Sequence, residues 1–147
     1  MIALIQRVST AHVDIDGAQV ASIASGIMTL VGIEKHDKIE TCERLLERVL
    51  NYRIFPDEQG RMNRSLRDTQ GGLLLVPQFT LVADTERGTR PGFSRGATPE
   101  QGKSLFKSLC DIAKLQWPSV GCGQFGADMQ VHLCNDGPVT FWLQIKP

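Results

Sequence analysis

The segment GGLLLVPQFTLV, residues 71–82, predicts the central strand of the fold. Its apolar run lies between two helical patterns and begins after a pair of glycines, as expected for a strand that is buried inside a sheet. Pro77 interrupts the run, although proline removes a backbone donor that a sheet ladder needs. The interruption predicts either a strand end or a stretch of backbone that offers free N–H and C=O groups to a ligand.

Strand-like runs lie on both sides of this segment. Four come before the first helix and are joined by tight turns, and two follow the second helix. Gly137-Pro138 comes directly before the last run, where a ladder would again need a backbone donor. The predicted strands are residues 2–8, 11–16, 18–23, 26–33, 122–134 and 139–145.

Two helices are predicted from capping signals and apolar periodicity. Asp37 is the expected N-cap of the first, with Glu40 in the capping-box position, and Thr98-Pro99 starts the second. The elements do not alternate as regular βαβ units. We therefore predict an α+β (mixed α/β) fold, in which antiparallel or mixed β-sheets form a sandwich or barrel-like core covered by two main helices, as a single domain over residues 1–147.

The composition is that of a globular protein in a reducing compartment. Of the 147 residues, 41% are hydrophobic and 22% are charged, and the 16 basic and 16 acidic residues cancel. Overall charge therefore gives no sign of nucleic-acid binding. The N-terminus lacks the pattern of a secretion signal, and no apolar run approaches the ~20 residues of a membrane span. We expect a cytoplasmic protein without membrane contact.

Three patterns that are typical of enzymes do not predict a site here. The segment GFSRG around Ser94 matches G-x-S-x-G, but no hydrophobic strand precedes it and no helix begins until Thr98. His12, His36 and His132 are expected to be surface or packed residues. The four cysteines contain no C-x-x-C pair, and two of them fall on apolar helix faces. No metal or organic cofactor is expected.

The chain resembles the bacterial D-aminoacyl-tRNA deacylases, the D-tyrosyl-tRNA deacylase family, in two motifs. That family has a Ser-Gln-Phe-Thr core and an Asn-x-Gly-Pro-Val-Thr core, which correspond here to PQFT and NDGPVT. The similarity also includes IQRV and FGADMQV and runs in the same order from Met1 to Ile145. It implies a homodimer with its active site at the subunit interface, which hydrolyses D-aminoacyl-tRNA and mischarged glycyl-tRNA and binds tRNA but not DNA.

The resemblance also implies how the substrate is held. Gly137 and Pro138 would form a cis peptide whose carbonyl oxygens enter the partner's pocket and exclude L side chains, with Arg7 bracing that element beside the substrate. Exclusion of this kind tolerates many D side chains. Phe125 and Met129 would pack around the terminal adenine of the tRNA.

Gln78, Phe79 and Thr80 are the catalytic residues that the resemblance implies, with the Phe79 N–H stabilising the oxyanion. Thr80 is either a nucleophile or a positioning group. No base has an assured position, which favours positioning, with the vicinal 2′-hydroxyl of the tRNA assisting.

Pro77 replaces the family's serine and excludes a serine nucleophile there. A related animal-type group has proline at this place and relaxed chirality, so a relaxed-chirality deacylase is one alternative. A non-catalytic dimeric binding module is the other.

Two groups of arginines are candidates for contacts with tRNA phosphates. One lies in the polar loop at 84–97 and the other lies between the two helices. Ordinary solvated side chains remain the alternative for each of them. Phosphate contacts would make binding weaken steeply with salt. The arginines are Arg61, Arg64, Arg67, Arg87, Arg90 and Arg95.

Overall fold

The structure is a computed structural model that describes all residues, Met1–Pro147, with eight strands and three α-helices. The elements are β1 Ile2–Ile15, β2 Ala18–Ile23, β3 Gly26–Gly32, α1 Ile39–Asn51, β4 Phe55–Pro56, β5 Met62–Arg64, α2 Leu66–Thr69, β6 Gly72–Pro77, a 3-10 turn Phe79–Val82, α3 Pro99–Gln116, β7 Val120–Cys122 and β8 Gln130–Gln144.

Six strands form one mixed sheet in the order β2-β1-β3-β6-β7, and β8 also pairs with β1. β1 is antiparallel to its three partners, whereas β3, β6 and β7 run parallel. At the far end β7 returns against β2, where a Cβ added to Gly121 would lie 3.2 Å from the Cβ of Ala21. The sheet is therefore a nearly closed barrel, and the predicted mixed α+β fold is confirmed.

The central strand β6 is buried on both faces. Leu73 and Leu75 belong to a cluster of 24 buried residues that includes the apolar faces of α1 and α3. Leu74 and Val76 point the other way, into a cluster of 7 buried residues. Because successive side chains of a strand point to opposite faces, one strand packs against both cores. This confirms the central position that its apolar run predicts.

The end of the central strand differs from the prediction. β6 stops at Pro77, and Phe79–Val82 form a 3-10 turn instead of continuing the strand. The last ladder bond is donated by the Gln78 N–H to the Val31 carbonyl, 2.8 Å away. Proline has no N–H and restricts the residue before it, so the chain can leave the sheet here.

The predicted boundaries of the outer strands are wrong in two places. Residues 2–8 and 11–16 belong to one continuous strand, β1, and the chain from 122 to 145 forms the end of β7, a loop and the long strand β8. β8 pairs with β1 from Ile2 to Asp14. Pairing along this whole length keeps both strands extended across breaks that local sequence rules treat as strand ends.

The N-cap predicted for α1 is also wrong. The N-cap is Lys38, whose N–H donates to the hydroxyl of Thr41 at 3.1 Å. The Asp37 carboxylate is buried and instead accepts hydrogen bonds from the N-terminal amine of Met1 at 2.6 Å and from the Glu34 N–H at 2.7 Å. A charged donor forms a stronger bond than a helix N–H, so the carboxylate turns toward the amine.

The other helices follow their capping signals. Thr98 caps α3 by accepting a hydrogen bond from the Gln101 N–H at 3.2 Å, as predicted. The sequence prediction omits α2, a single turn capped reciprocally by Ser65 and Asp68, although S-x-x-D is a recognised start signal. No helix combines the length and apolarity needed to cross a membrane.

The cysteines predicted to lie on the apolar helix faces are buried. Burial raises the pKa of the Cys42 thiol to about 11. A thiol with so high a pKa carries almost no thiolate at neutral pH and is inert. Cys42 therefore acts as a packing residue in this fold.

Glu34 should make the stability depend on acid pH. Burial raises the pKa of Glu34, but hydrogen bonds from the N-terminal amine and Gln144 outweigh burial, so the pKa is lowered from 4.5. The stabilisation is therefore complete above that value and is lost as the pH falls through the folded pKa. We expect Glu34→Gln to flatten the fall in melting temperature below about pH 4.5, whereas the exposed control Glu43→Gln should not. Parallel curves for wild type and Glu34→Gln would contradict this.

Candidate active site

A cavity of about 480 Å³ opens where β6 and β7 end. These strands run parallel with β3, so their carboxyl ends lie on one side of the sheet. This is where open α/β sheets generally bind ligands, because the loops leaving the strands converge there. The lining residues are Val76, Pro77, Gln78, Phe79, Ala97, Pro99, Phe125, Gly126, Ala127, Met129 and Val131.

The cavity brings together predicted site residues from two distant parts of the chain. Gln78 and Phe79 follow β6, and Phe125 and Met129 precede β8. Thr80 comes next after Phe79 but is not among the lining residues. PQFT and FGADMQV therefore meet at one site, whereas Gly137 and Pro138 do not line this cavity.

The backbone at Phe79 presents unpaired donors. The first N–H groups of a 3-10 turn have no acceptor inside the turn. None of the loop and turn hydrogen bonds uses the N–H of Phe79 or Thr80 as its donor. The Phe79 side chain is 63% exposed and contacts Phe93 in a tilted arrangement, with ring centroids 5.4 Å apart. The amides at this turn are free to bind a ligand, and Phe93 is a neighbour that the sequence prediction omits.

The side chains at the cavity cannot act as a general base. All 11 lining residues are non-ionisable. The Thr80 hydroxyl accepts a hydrogen bond from the side-chain amide of Gln78, and an amide cannot take up a proton. A hydroxyl without a base is a weak nucleophile. This arrangement can bind an apolar group and donate hydrogen bonds, but it leaves Thr80 without activation.

Phe125 and Met129 are fixed by contacts with glycines. A Cβ added to Gly102 in α3 would lie 2.8 Å from the Phe125 Cζ, so the ring rests directly on the helix backbone. A Cβ added to Gly123 would lie 2.9 Å from the Met129 sulfur. A fixed aromatic ring and a polarisable thioether form walls suited to a flat aromatic ligand.

A bulge interrupts the pairing of β8 with β1. Thr140 is opposite Gln6 and Asn135 is opposite Val8, so the four residues of β8 between Asn135 and Thr140 stand opposite Arg7 alone. Extra residues in one strand must leave the ladder and protrude. The motif NDGPVT is therefore a bulge within one strand, and not the start of a strand.

The tip of this bulge is the Gly137-Pro138 peptide, which is cis and exposed. Gly137 has φ of 139°, a conformation that residues with a Cβ rarely adopt. An added Cβ there would also lie 2.6 Å from the Val139 Cγ2. Only glycine fits this position without strain.

Arg7 and Asn135 hold the bulge from its two sides. Arg7 donates from Nε to the Asp136 carbonyl at 3.0 Å and from Nη1 to the Ile54 carbonyl at 2.7 Å. The Asn135 side chain accepts from the Val139 N–H at 2.9 Å. Arg7 thus braces the Gly-Pro element and does not line the cavity. The sequence prediction omits Asn135, although Asn before a turn commonly binds backbone in this way.

The candidate tRNA-contacting arginines fall into two sets. Three have carboxylate partners: Arg95 with Glu86 at 2.7 Å, Arg67 with Glu47 at 2.8 Å and Arg64 with Glu58 at 3.7 Å. The exposed residues Arg61, Arg87 and Arg90 form no ion pair within 4.0 Å. These three are the better candidates for phosphate contacts, because no neighbouring carboxylate competes.

Comparisons of sequence identify relatives over the full length. The family model described as D-Tyr-tRNA(Tyr) deacylase matches residues 4–144. The D-aminoacyl-tRNA deacylase of Alkalilimnicola ehrlichii is 55% identical over 147 residues, covering 100% of this chain and 98% of the relative. The D-aminoacyl-tRNA deacylase of Ectopseudomonas mendocina is 56% identical over 145 residues, which cover 99% of this chain and 100% of the relative.

Two solved structures share the fold. One, called c-Myc DNA Unwinding Element Binding Protein, superposes with a TM-score of 0.94 at 36% identity and covers 100% of both chains. The other, described as a probable eukaryotic D-amino acid tRNA deacylase, has a TM-score of 0.87 at 16% identity and covers 98% of both chains. The second likeness supports the fold alone.

Proposed function

The chain belongs to the D-Tyr-tRNA(Tyr) deacylase family, and we propose how its residues carry out that family's reaction. It is a hydrolase that releases D-amino acids from tRNA by cleaving the aminoacyl ester. The observation that carries the residue assignments is the cavity, in which PQFT and FGADMQV meet beside free backbone amides. We place the activity in the cytoplasm, where tRNA is charged, and extend it to mischarged glycyl-tRNA.

The terminal adenine of the tRNA lies between Phe125 and Met129 in this proposal. Both side chains line the cavity and are fixed against glycine backbone, so they offer a preformed slot. Stacking of a base on an aromatic side chain contributes on the order of 1–3 kcal/mol.

Arg61, Arg87 and Arg90 are proposed to contact phosphates. The family and its relatives are named for a tRNA substrate, and we propose tRNA, and not DNA, as the nucleic-acid partner of this chain.

The Phe79 N–H stabilises the negative charge that develops on the carbonyl oxygen of the ester when water adds to the carbonyl carbon. The non-ionisable lining supports a mechanism in which the substrate supplies its own proton transfer. In it the vicinal 2′-hydroxyl of the terminal adenosine assists departure of the 3′ oxygen while water adds to the carbonyl carbon. The products are the free amino acid and the tRNA with its 3′-hydroxyl restored. Gln78 and Thr80 hold the turn through their side-chain hydrogen bond.

Selection for D-amino acids is assigned to the Gly137-Pro138 bulge of a second copy of the chain. Neither residue lines the cavity of its own chain, and the peptide is exposed at the surface. β8 pairs only with β1, so its other edge is free for a partner. In the proposed homodimer the carbonyl oxygens of the bulge hold the substrate's amino group, and an L side chain would collide with them. Pro77 at the cavity wall favours relaxed chirality as the second candidate.

Deacylation assays with D-Tyr-tRNA, L-Tyr-tRNA and Gly-tRNA test this assignment. We expect hydrolysis of the first and third and very slow hydrolysis of the second. Comparable rates on D- and L-Tyr-tRNA would instead establish the relaxed-chirality enzyme. Failure to hydrolyse any of them would contradict deacylation itself.

Mixing two inactive variants tests the shared site. Phe79→Pro removes a donor in the cavity, and Gly137→Ala distorts the bulge. Each heterodimer would contain one site in which both elements are intact and one in which both are changed. Random exchange of equal amounts makes about half of the dimers heterodimers, so about a quarter of wild-type activity should return. No recovery despite demonstrated exchange would place both elements in the same subunit's site.

Thr80→Ala is expected to keep activity within about tenfold of wild type, because the hydroxyl has no base and only braces Gln78. Single-turnover deacylation of D-Tyr-tRNA measures this, with Ser94→Ala in the exposed loop as the control. A folded Thr80→Ala protein that binds tRNA but is inactive would contradict this mechanism, because it would show that the hydroxyl is essential for the chemical step.

A further inference from the structure

Two histidines and an aspartate lie together on the outer face of the barrel. His12 of β1 is directly opposite His132 of β8. Asp14 lies two residues along β1, and side chains two apart in a strand share a face. Ala11 and Val13, the neighbours of His12 in β1, are buried in the barrel core, so the three polar side chains point outward.

The donor atoms of these side chains converge. The Asp14 Oδ2 is 3.3 Å from the His132 Nε2 and 3.7 Å from the His12 Nε2. All three ligand atoms lie within 4.8 Å of one another. A tetrahedral metal with bonds of roughly 2.0–2.2 Å holds its donors about 3.4 Å apart. The separations are therefore already close to those of a metal-bound set.

We propose that His12, Asp14 and His132 bind one zinc ion per chain, with water in the remaining position. Two imidazole nitrogens and one carboxylate oxygen are a donor set that zinc accepts, whereas magnesium and calcium prefer oxygen ligands alone. The site is reachable, because the side chains are 34%, 26% and 51% exposed for His12, Asp14 and His132 respectively. Binding needs only side-chain rotation, since the two rings stack at an interplanar angle of 8° and must tilt toward a shared ion.

The zinc site is separate from the cavity but belongs to the same strand. Val131 lines the cavity, and the next residue, His132, points to the opposite side of β8. An ion held by His12 and His132 would cross-link β1 and β8 near the start of β8. Because it binds the folded chain and not the unfolded one, zinc should stabilise the fold by mass action.

Titration calorimetry with zinc chloride on chelator-treated full-length protein tests the site. Wild type should bind one zinc per chain, and His12→Asn and His132→Asn should weaken binding by roughly tenfold or more. His36→Asn is the matched control, because His36 is an exposed histidine before α1 that does not belong to the cluster. Zinc should raise the melting temperature of wild type and His36→Asn, and leave that of His12→Asn and His132→Asn unchanged.

The exposed Cys134 thiol is the competing zinc ligand on this face. Cys134→Ser should therefore bind zinc with wild-type affinity. Absence of binding to wild type, binding unchanged by both His12→Asn and His132→Asn, or binding lost in Cys134→Ser would each overturn the proposal. Metal-free His132→Asn should deacylate D-Tyr-tRNA at the metal-free wild-type rate, because neither histidine touches the cavity.

Discussion

Phe79→Pro should lower kcat for deacylation of D-Tyr-tRNA by roughly 10²–10³-fold while the protein stays folded, the loss typical of removing one oxyanion donor. Proline removes the N–H and nothing else from the backbone at this position. The first residue of a helical turn accepts proline readily, because its N–H has no partner inside the turn. Gln78, the residue before it, has φ of −141° and ψ of 87°, so it is outside the α region that a following proline disfavours, and its ψ needs to increase by roughly 30° to reach the range that proline prefers in its predecessor.

The matched control is Phe79→Ala, which removes the exposed ring but keeps the N–H. It should retain most of kcat and change mainly KM, since the ring contacts Phe93 and the cavity mouth. Circular dichroism and melting temperature establish that both variants are folded. Equal kcat for Phe79→Pro and Phe79→Ala would show that the Phe79 amide does not stabilise the transition state.

The main elements of this fold could be predicted because their signals are local. The apolar run of β6 specifies a buried strand, and the capping residue Thr98 specifies the start of a helix. Both signals are independent of distant parts of the chain. Asp37 could not be assigned in this way. Its carboxylate has two possible partners, a helix N–H and the amine of Met1, and only the folded structure brings the amine within 2.6 Å.

The candidate site was predictable to the extent that its residues lie in recognisable motifs. Gln78 and Phe125 are separated along the chain, and the parallel pairing of β6 and β7 brings their loops together. The zinc-type cluster has no such signal, because His12 and His132 meet only through the register of β1 and β8. The one local signal for the cluster in the sequence is the pattern His-x-Asp at 12–14, which places two possible metal ligands on one face of a strand.

Bracing of the bulge by Arg7 also depends on distant parts of the chain. Arg7 bonds to Asp136, 129 residues away, and to Ile54, 47 residues away. A resemblance can indicate that an arginine belongs near Gly-Pro, but it does not give these two acceptors. The acceptors matter because a planar guanidinium can reach two carbonyls at once, whereas a lysine ammonium on its flexible stem holds them less rigidly.

Arg7→Met should lower kcat/KM for D-Tyr-tRNA about 100-fold and reduce the ratio of D to L rates. The variant removes the hydrogen bond from Arg7 to the bulge at Asp136 and the bond that anchors Arg7 to Ile54. A displacement of about 1 Å at a positioning group can cost this much. A displaced bulge would also collide less with an L side chain. The unpaired Ile54 carbonyl should cost about 1–3 kcal/mol of folding stability. Rates on both substrates, measured well below the melting temperature, separate the positioning effect from unfolding.

Arg48→Met is the control, because Arg48 also donates to a carbonyl of β8, that of Gln144 at 3.2 Å, but away from the bulge. Its rates and D to L ratio should equal those of wild type. Arg7→Lys should give intermediate values, since one ammonium cannot hold both acceptors with the same geometry. If Arg7→Met is folded and keeps the wild-type D to L ratio, the position of the Gly137-Pro138 bulge does not depend on Arg7. This result would contradict the proposed role of Arg7 in chiral selection.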